Sequence, residues 1–255
     1  MDIPGFQILR NIFNIPSYDS TNGNLVDAAG NAIVVTDVVA DWAALQAIPK
    51  TSGNNNIVMH IDGLGVGGSD WRYKHTHGRW FAVGEPVLKL GHAAVTHGAT
   101  LTTEEVGFEY QMPNDYGAQN KSIMQNGDIL TVSALLTKTG TLDSMRPNLK
   151  FGTTAGTTGT SLWAPTPGAT TISLGADLTL QRTSATTLRI HQINTSVAGN
   201  NFTSTTAWQG DITVSNMDTS STFYLDFTFK CNTSTGDSAF KIENYGVRLR
   251  SGIAG

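Results

Sequence analysis

The chain is poor in charge and almost free of cysteine. Of 255 residues, 14% are charged and one, Cys231, is a cysteine. A lone cysteine closes no internal disulfide, so stability must come from packing, and synthesis in a reducing cytoplasm is the expectation. Lysine and arginine number 16 against 20 acidic residues, a formal charge of −4. No basic stripe is present, which argues against nucleic-acid binding by phosphate neutralisation. No apolar run approaches the roughly 20 residues needed to cross a bilayer, so membrane insertion is not expected. The start, Met1-Asp2-Ile3-Pro4-Gly5, has neither the basic nor the apolar region of a secretory signal.

Threonine, serine, asparagine and glycine fill the space that charge leaves. They number 34, 18, 18 and 27, together 97 residues. Threonine is β-branched, and glycine and asparagine tolerate tight-turn geometry. This composition excludes a helical bundle, a coiled coil and a charged disordered tail. It fits strands joined by turns.

Three segments follow. Residues 1–30 read as an N-terminal anchor and linker. Phe6, Ile8, Leu9, Ile12, Phe13 and Ile15 crowd between Pro4 and Pro16, with spacing that fits one helical face. So short a segment cannot bury these side chains alone; it folds back on the rest or docks into a partner. Residues 31–92 read as a small β-domain. Its expected elements are a strand at Ala32–Thr36, a short helix from Trp42 to Ile48 capped by Asp41, and a strand at Ile57–Ile61. A hairpin joins Asp70–Lys74 to Arg79–Val83. Residues 93–255 show period-two alternation. Ile172, Leu174, Ala176, Leu178 and Leu180 alternate with polar partners, as do Phe223, Leu225, Phe227, Phe229 and Cys231. Each such run is a strand with one buried and one wet face. The fold class is therefore all-β. An N-terminal anchor and a small β-rich domain with one short helix precede a C-terminal antiparallel, jelly-roll-like β-sandwich.

Candidate chemistry is sparse. Gly63, Gly65, Gly67 and Gly68 follow a strand but lead into strand-like residues, whereas a dinucleotide loop must open a helix. His75 and His77 would share one side of an extended chain and could form half of a metal site. His60, His92 and His97 supply further imidazoles, but no ligand spacing supports them. Glu104 and Glu105 are strand neighbours on opposite faces, a poor acid–base pair, and with Glu109 read as solvated surface. No nucleophile elbow surrounds Ser144, Ser161 or Ser173. Trp71, Tyr73, Trp80 and Phe81 read as the core of the small domain. Trp163 and Trp208 lie near turns and are the candidates for glycan or partner contact. No catalytic residue, cofactor or metal site is assigned.

Val39-Ala40-Asp41-Trp42-Ala43-Ala44-Leu45-Gln46-Ala47-Ile48-Pro49 resembles a segment of tailed-bacteriophage virion proteins, in which a short helix precedes a small β-unit. The likeness continues through Ile57–Gly68, Trp71-Arg72-Tyr73 and Gly78-Arg79-Trp80. Gly127–Val132 and Asn148–Thr153 resemble the sandwich that follows in some phage fibre proteins. The resemblance spans Val39 to Leu249 and rests on architectural motifs. It implies a structural virion protein made in the bacterial cytoplasm: a homotrimeric tail fibre or, alternatively, a head fibre or capsid decoration protein. Its partners would be itself, other virion proteins and a host surface glycan. Phe6, Ile8, Leu9, Ile12 and Phe13 would dock it to the particle. A free carbohydrate-binding module is the further alternative.

Overall fold

The computed structural model describes residues 17–19, 24–26, 32–33, 37–91, 95–97, 102–113, 122–140, 144–165, 168, 171–198, 201–219, 221–232 and 239–252. The chain divides into two compact units, residues 1–84 and 85–255.

The first unit contains an antiparallel ribbon of β1 (Ser17–Asp19), β2 (Asn24–Val26) and β3 (Ala32–Ile33). A second sheet follows the order β4-β5-β6-β7, formed by Asp37–Val39, Val58–Ile61, Ser69–Lys74 and Arg79–Ala82. Strand β4 runs parallel to β5, and helix α1 (Trp42–Ala47) lies in the crossover. The helix starts where the Asp41 carboxylate accepts the Ala44 N–H at 2.8 Å. It ends at Ile48, whose extended backbone is what a following Pro49 favours. Trp42 and Leu45 are buried as their spacing predicts, and Trp42 packs edge-on against Trp71 at 4.7 Å. Trp71, Tyr73 and Trp80 are each no more than 2% exposed. Large rings are how a unit this small buries enough apolar surface. Of the strand expected over 32–36, residues 32–33 form β3, and residues 34–36 lie outside the described residues.

The second unit is the sandwich. Its strands are β8 (Val87–Gly91), β9 (Val95–His97), β10 (Glu105–Met112), β11 (Ile129–Lys138), β12 (Met145–Gly152) and β13 (Thr160–Trp163). They continue with β14 (Thr171–Ser184), β15 (Thr187–Ala198), β16 (Asn201–Thr213), β17 (Phe223–Cys231) and β18 (Phe240–Arg250). One sheet has the order β16-β15-β14-β11-β18-β8, with β9 also pairing to β18; the other is β10-β17-β12-β13. Every pairing is antiparallel.

The pairings are nested. With β8 and β9 taken as one interrupted strand and the β15–β16 hairpin set aside, the first strand pairs with the eighth (β18) and the second (β10) with the seventh (β17). The third (β11) pairs with the sixth (β14), and the fourth (β12) with the fifth (β13). A long hairpin wound around two sheets gives this nesting, which is the jelly-roll arrangement. The β15–β16 hairpin extends one sheet beyond β14.

Alternation explains the core. Leu130, Val132, Ala134 and Leu136 of β11 lie opposite Leu180, Leu178, Ala176 and Leu174 of β14, and all eight are buried. Phe223, Leu225, Phe227, Phe229 and Cys231 are no more than 2% exposed. Phe108 of one sheet stacks on Tyr245 of the other at 4.2 Å. The sequence boundary at 92/93 is corrected by backbone pairing: β8 bonds to β18, so the sandwich unit begins at Glu85.

Candidate functional site

The outer face of β10-β17-β12 holds a connected polar network. Alternation assigns Asp226 and Thr228 to a wet face, yet both are fully buried. Strand β17 is central to its sheet, and the β12–β13 connection bonds to the side chains on its outer face. The Gly156 N–H donates to Asp226 Oδ2 at 3.0 Å, and the Thr157 carbonyl accepts from Lys150 Nζ. Gly152 and Gly159 let the two arms of this connection approach: a Cβ on Gly152 would lie 2.9 Å from Gly159 Cα. Lys150 also donates to Glu104 at 2.7 Å, and the Thr228 hydroxyl donates to the other Glu104 oxygen. Glu104 thus belongs to a half-buried ion pair, not to a solvated surface.

Two carboxyls of this face are displaced in opposite directions. Asp226 Oδ1 is buried without a hydrogen-bond partner. Burial pushes the Asp226 carboxyl up to about 6; the Gly156 N–H opposes the shift and the charge of Glu109 assists it. Burial alone would also raise Glu104, but the Lys150 and Thr228 hydrogen bonds override it and hold Glu104 below its ordinary value.

Glu109 lies directly opposite Asp226 in the β10–β17 register. Two carboxyls on neighbouring strands, one with a raised pKa, have the composition of a glycosidase acid–base pair. A general acid must touch the bond it protonates. Asp226 is fully buried and bonded to the connection, so its carboxyl anchors a loop. Sequence reading missed the pair because its members stand more than a hundred residues apart; alternation on β17, with one acid among aromatics, was the available signal.

The first unit has its own charged cluster. His60 Nδ1 and Asp70 Oδ1 lie 2.6 Å apart, and His60 Nε2 and Asp62 Oδ1 3.1 Å apart. The Asp70 hydrogen bond is the main cause of a raised His60 pKa; desolvation opposes it and the Asp62 charge adds to it. Gly68 has a φ of +78°, and a Cβ there would strike the His60 ring. The glycine run therefore serves a close approach to His60, and it enters β6 rather than a helix. His75–His77 form a 3-10 turn, not an extended chain. Among the described residues, no three His, Cys, Asp or Glu side chains converge as metal ligands.

Trp163 is 3% exposed and packs on Phe227 with ring centroids 5.7 Å apart. It is a core residue, which corrects its reading as a glycan contact: β13 pairs Trp163 with Leu149, placing it on the inner face. Trp208 lies within β16, opposite Gln192, and its side chain is outside the described residues. Phe6, Ile8, Leu9, Ile12 and Phe13 also lie outside them.

No family model matches the chain, and no curated protein matches it. Several solved structures give weak likenesses, three of which follow. An engineered GH43 glycoside hydrolase with endo-xylanase and exo-arabinofuranosidase activity aligns at a TM-score of 0.36 and 10% identity, over 92% of this chain and 48% of that one. The chain thus spans about half the length of that enzyme. The carbohydrate recognition domain of Emp46p, potassium-bound, gives 0.29 and 13% over 72% and 87% of the two chains. A legume lectin-like domain from Entamoeba histolytica gives 0.21 and 11% over 61% and 89%. Likenesses at these scores assign neither activity nor ligand; the jelly roll stands on its own strand pairing.

Proposed function

We propose that this protein is a non-catalytic virion component of the fibre type, trimeric in solution, whose jelly roll is presented for host-surface or inter-subunit contact. One observation carries the non-catalytic part. The charged groups that the described jelly roll draws together hold strands and loops in place: Lys150 and Asp226 bind one connection, Glu104 pairs with Lys150, and Arg182 binds two turns. The resemblance across Val39–Leu249 supports the virion assignment. Phe6, Ile8, Leu9, Ile12 and Phe13 are the proposed particle anchor.

Light scattering of the purified full chain tests the assembly. The expected result is three times the chain mass of 27.2 kDa, and a monomer overturns the fibre reading. Deleting residues 1–16 should abolish incorporation into particles and leave the sandwich folded.

A further inference from the structure

The connection between β12 and β13 covers a buried acid with little to hold it there. Its residues, Thr153-Thr154-Ala155-Gly156-Thr157-Thr158-Gly159, include no large apolar side chain, and each is exposed or half-buried. Beneath it, Asp226 is fully buried and Lys150 is 8% exposed. Two hydrogen bonds tie the connection to the sheet. The Gly156 N–H donates to Asp226 Oδ2, and Lys150 Nζ donates to the Thr157 carbonyl. The β5–β6 turn is held differently, by the buried side chain of Leu64. Segments with few buried apolar contacts are those that open locally at low free-energy cost.

The acid under the connection is badly matched to being covered while charged. A carboxylate ion accepts several hydrogen bonds, yet Asp226 Oδ1 is sealed from water without a donor. The charged groups around it come from three strands. From β10, Glu109 stands opposite Asp226, and Glu104, just before that strand, pairs with Lys150. From β12, Lys150 stands on the other side of Asp226, with Arg146 farther along the same face. Strand β17 itself adds Tyr224 and Lys230 to that face. The connection carries no titratable side chain. Burial is the largest influence on Asp226 and favours the neutral acid, as does Glu109; the Gly156 N–H and Lys150 favour the ion.

We infer that residues 153–159 form a strap that closes over Asp226 while its carboxyl is neutral and lifts from β17 as the carboxyl ionises. Lifting admits water to Oδ1 and uncovers an acid beside Glu109 on the outer face of the jelly roll. Under the closed strap the Asp226 carboxyl titrates at about 6, against 3.8 for the ordinary group. The closed form therefore binds the proton more tightly. Low pH favours closure, and opening grows as pH rises through about 6. Glu104 is held below its ordinary value, so its pairing with Lys150 does not titrate over the same range. The inference goes beyond the virion reading and does not depend on trimerisation.

Hydrogen exchange of the Gly156 amide in the full-length protein tests the strap, read by NMR and divided by the unprotected rate at each pH. Protection should fall about tenfold between pH 5 and 8, while amides in the middle of β17 keep theirs. Asp226→Asn cannot ionise, so its Gly156 protection should stay level over that range. Glu109→Gln removes a charge that favours the neutral acid, so the fall should move to lower pH. Near-ultraviolet circular dichroism checks that both variants fold; if Asp226→Asn does not, the Glu109→Gln shift carries the test. Level or rising protection in wild type overturns the inference. So does an equal fall in Asp226→Asn, an unmoved midpoint in Glu109→Gln, or a fall shared by the middle of β17.

Discussion

Asp226 and Glu104 share one network but respond to acid in opposite directions. The Asp226 carboxyl titrates near 6 in the fold, above its value of 3.8 when unfolded. Its contribution is full at low pH and is lost as pH rises through about 6. Asp226→Asn should therefore be more stable than wild type at pH 8, by about 1 kcal/mol. That advantage should shrink as pH falls below 6, as read by urea midpoints. Glu104 is held low, so its contribution is present at neutral pH and fades as acid protonates it. Glu104→Gln should cost about 2–3 kcal/mol at pH 7, because it leaves Lys150 buried without its counter-charge. The cost should vanish below the ordinary carboxylate range. His60 has the sign of a raised base: its ties to Asp70 and Asp62 stabilise the first unit below about 6.5 and fade as pH rises through its raised value. Gly68→Ala tests the same cluster. A positive φ and a Cβ directed at His60 should together cost about 1–3 kcal/mol. None of these roles can be read from residue type alone, since Asp226 and Thr228 occupy positions that alternation assigns to water.

Elements were more legible than the contacts between them. The expected helix from Trp42 to Ile48 ends one residue earlier, because its cap, its apolar spacing and Pro49 all act within a few residues. Strand β17 covers Phe223–Cys231, the run that alternation marked. Connections were less legible. Arg182 is 1% exposed; its guanidinium donates to the Met124 carbonyl at 2.6 Å and pairs with Asp218 at 2.7 Å. It joins the turn before β11 to the turn after β16. Asp218 is 34% exposed and would pass for an ordinary surface residue, whose replacement is usually within about 0.5 kcal/mol. Asp218→Asn should instead cost about 2–3 kcal/mol, because a buried guanidinium would lose its charge partner. Chemical denaturation of the two proteins at pH 7 decides between these magnitudes.

At the scale of the whole molecule, the division at 84/85 predicts two calorimetric transitions for the full chain. Each unit has its own apolar core. Trp163→Ala should lower only the transition of the sandwich, by about 3–5 kcal/mol, since its ring is buried against Phe227. A loss of ligand binding with unchanged stability would instead restore Trp163 as a contact residue.

Sequence by itself determined the fold class, the helix and strands such as β6, β7 and β17, because period-two burial, capping and turn chemistry are local. It placed Trp42 and Leu45 in the core, and Phe223–Cys231 on one inner face, for the same reason. Tertiary structure alone decided the nesting of β8–β18, β10–β17, β11–β14 and β12–β13, which depends on strands distant in the chain. It also buried Asp226 beneath a loop, turned Trp163 inward and joined Glu104 to Lys150 and Thr228, 46 and 124 residues away. These roles follow from which strand lies beside which, and no short-range pattern encodes that choice.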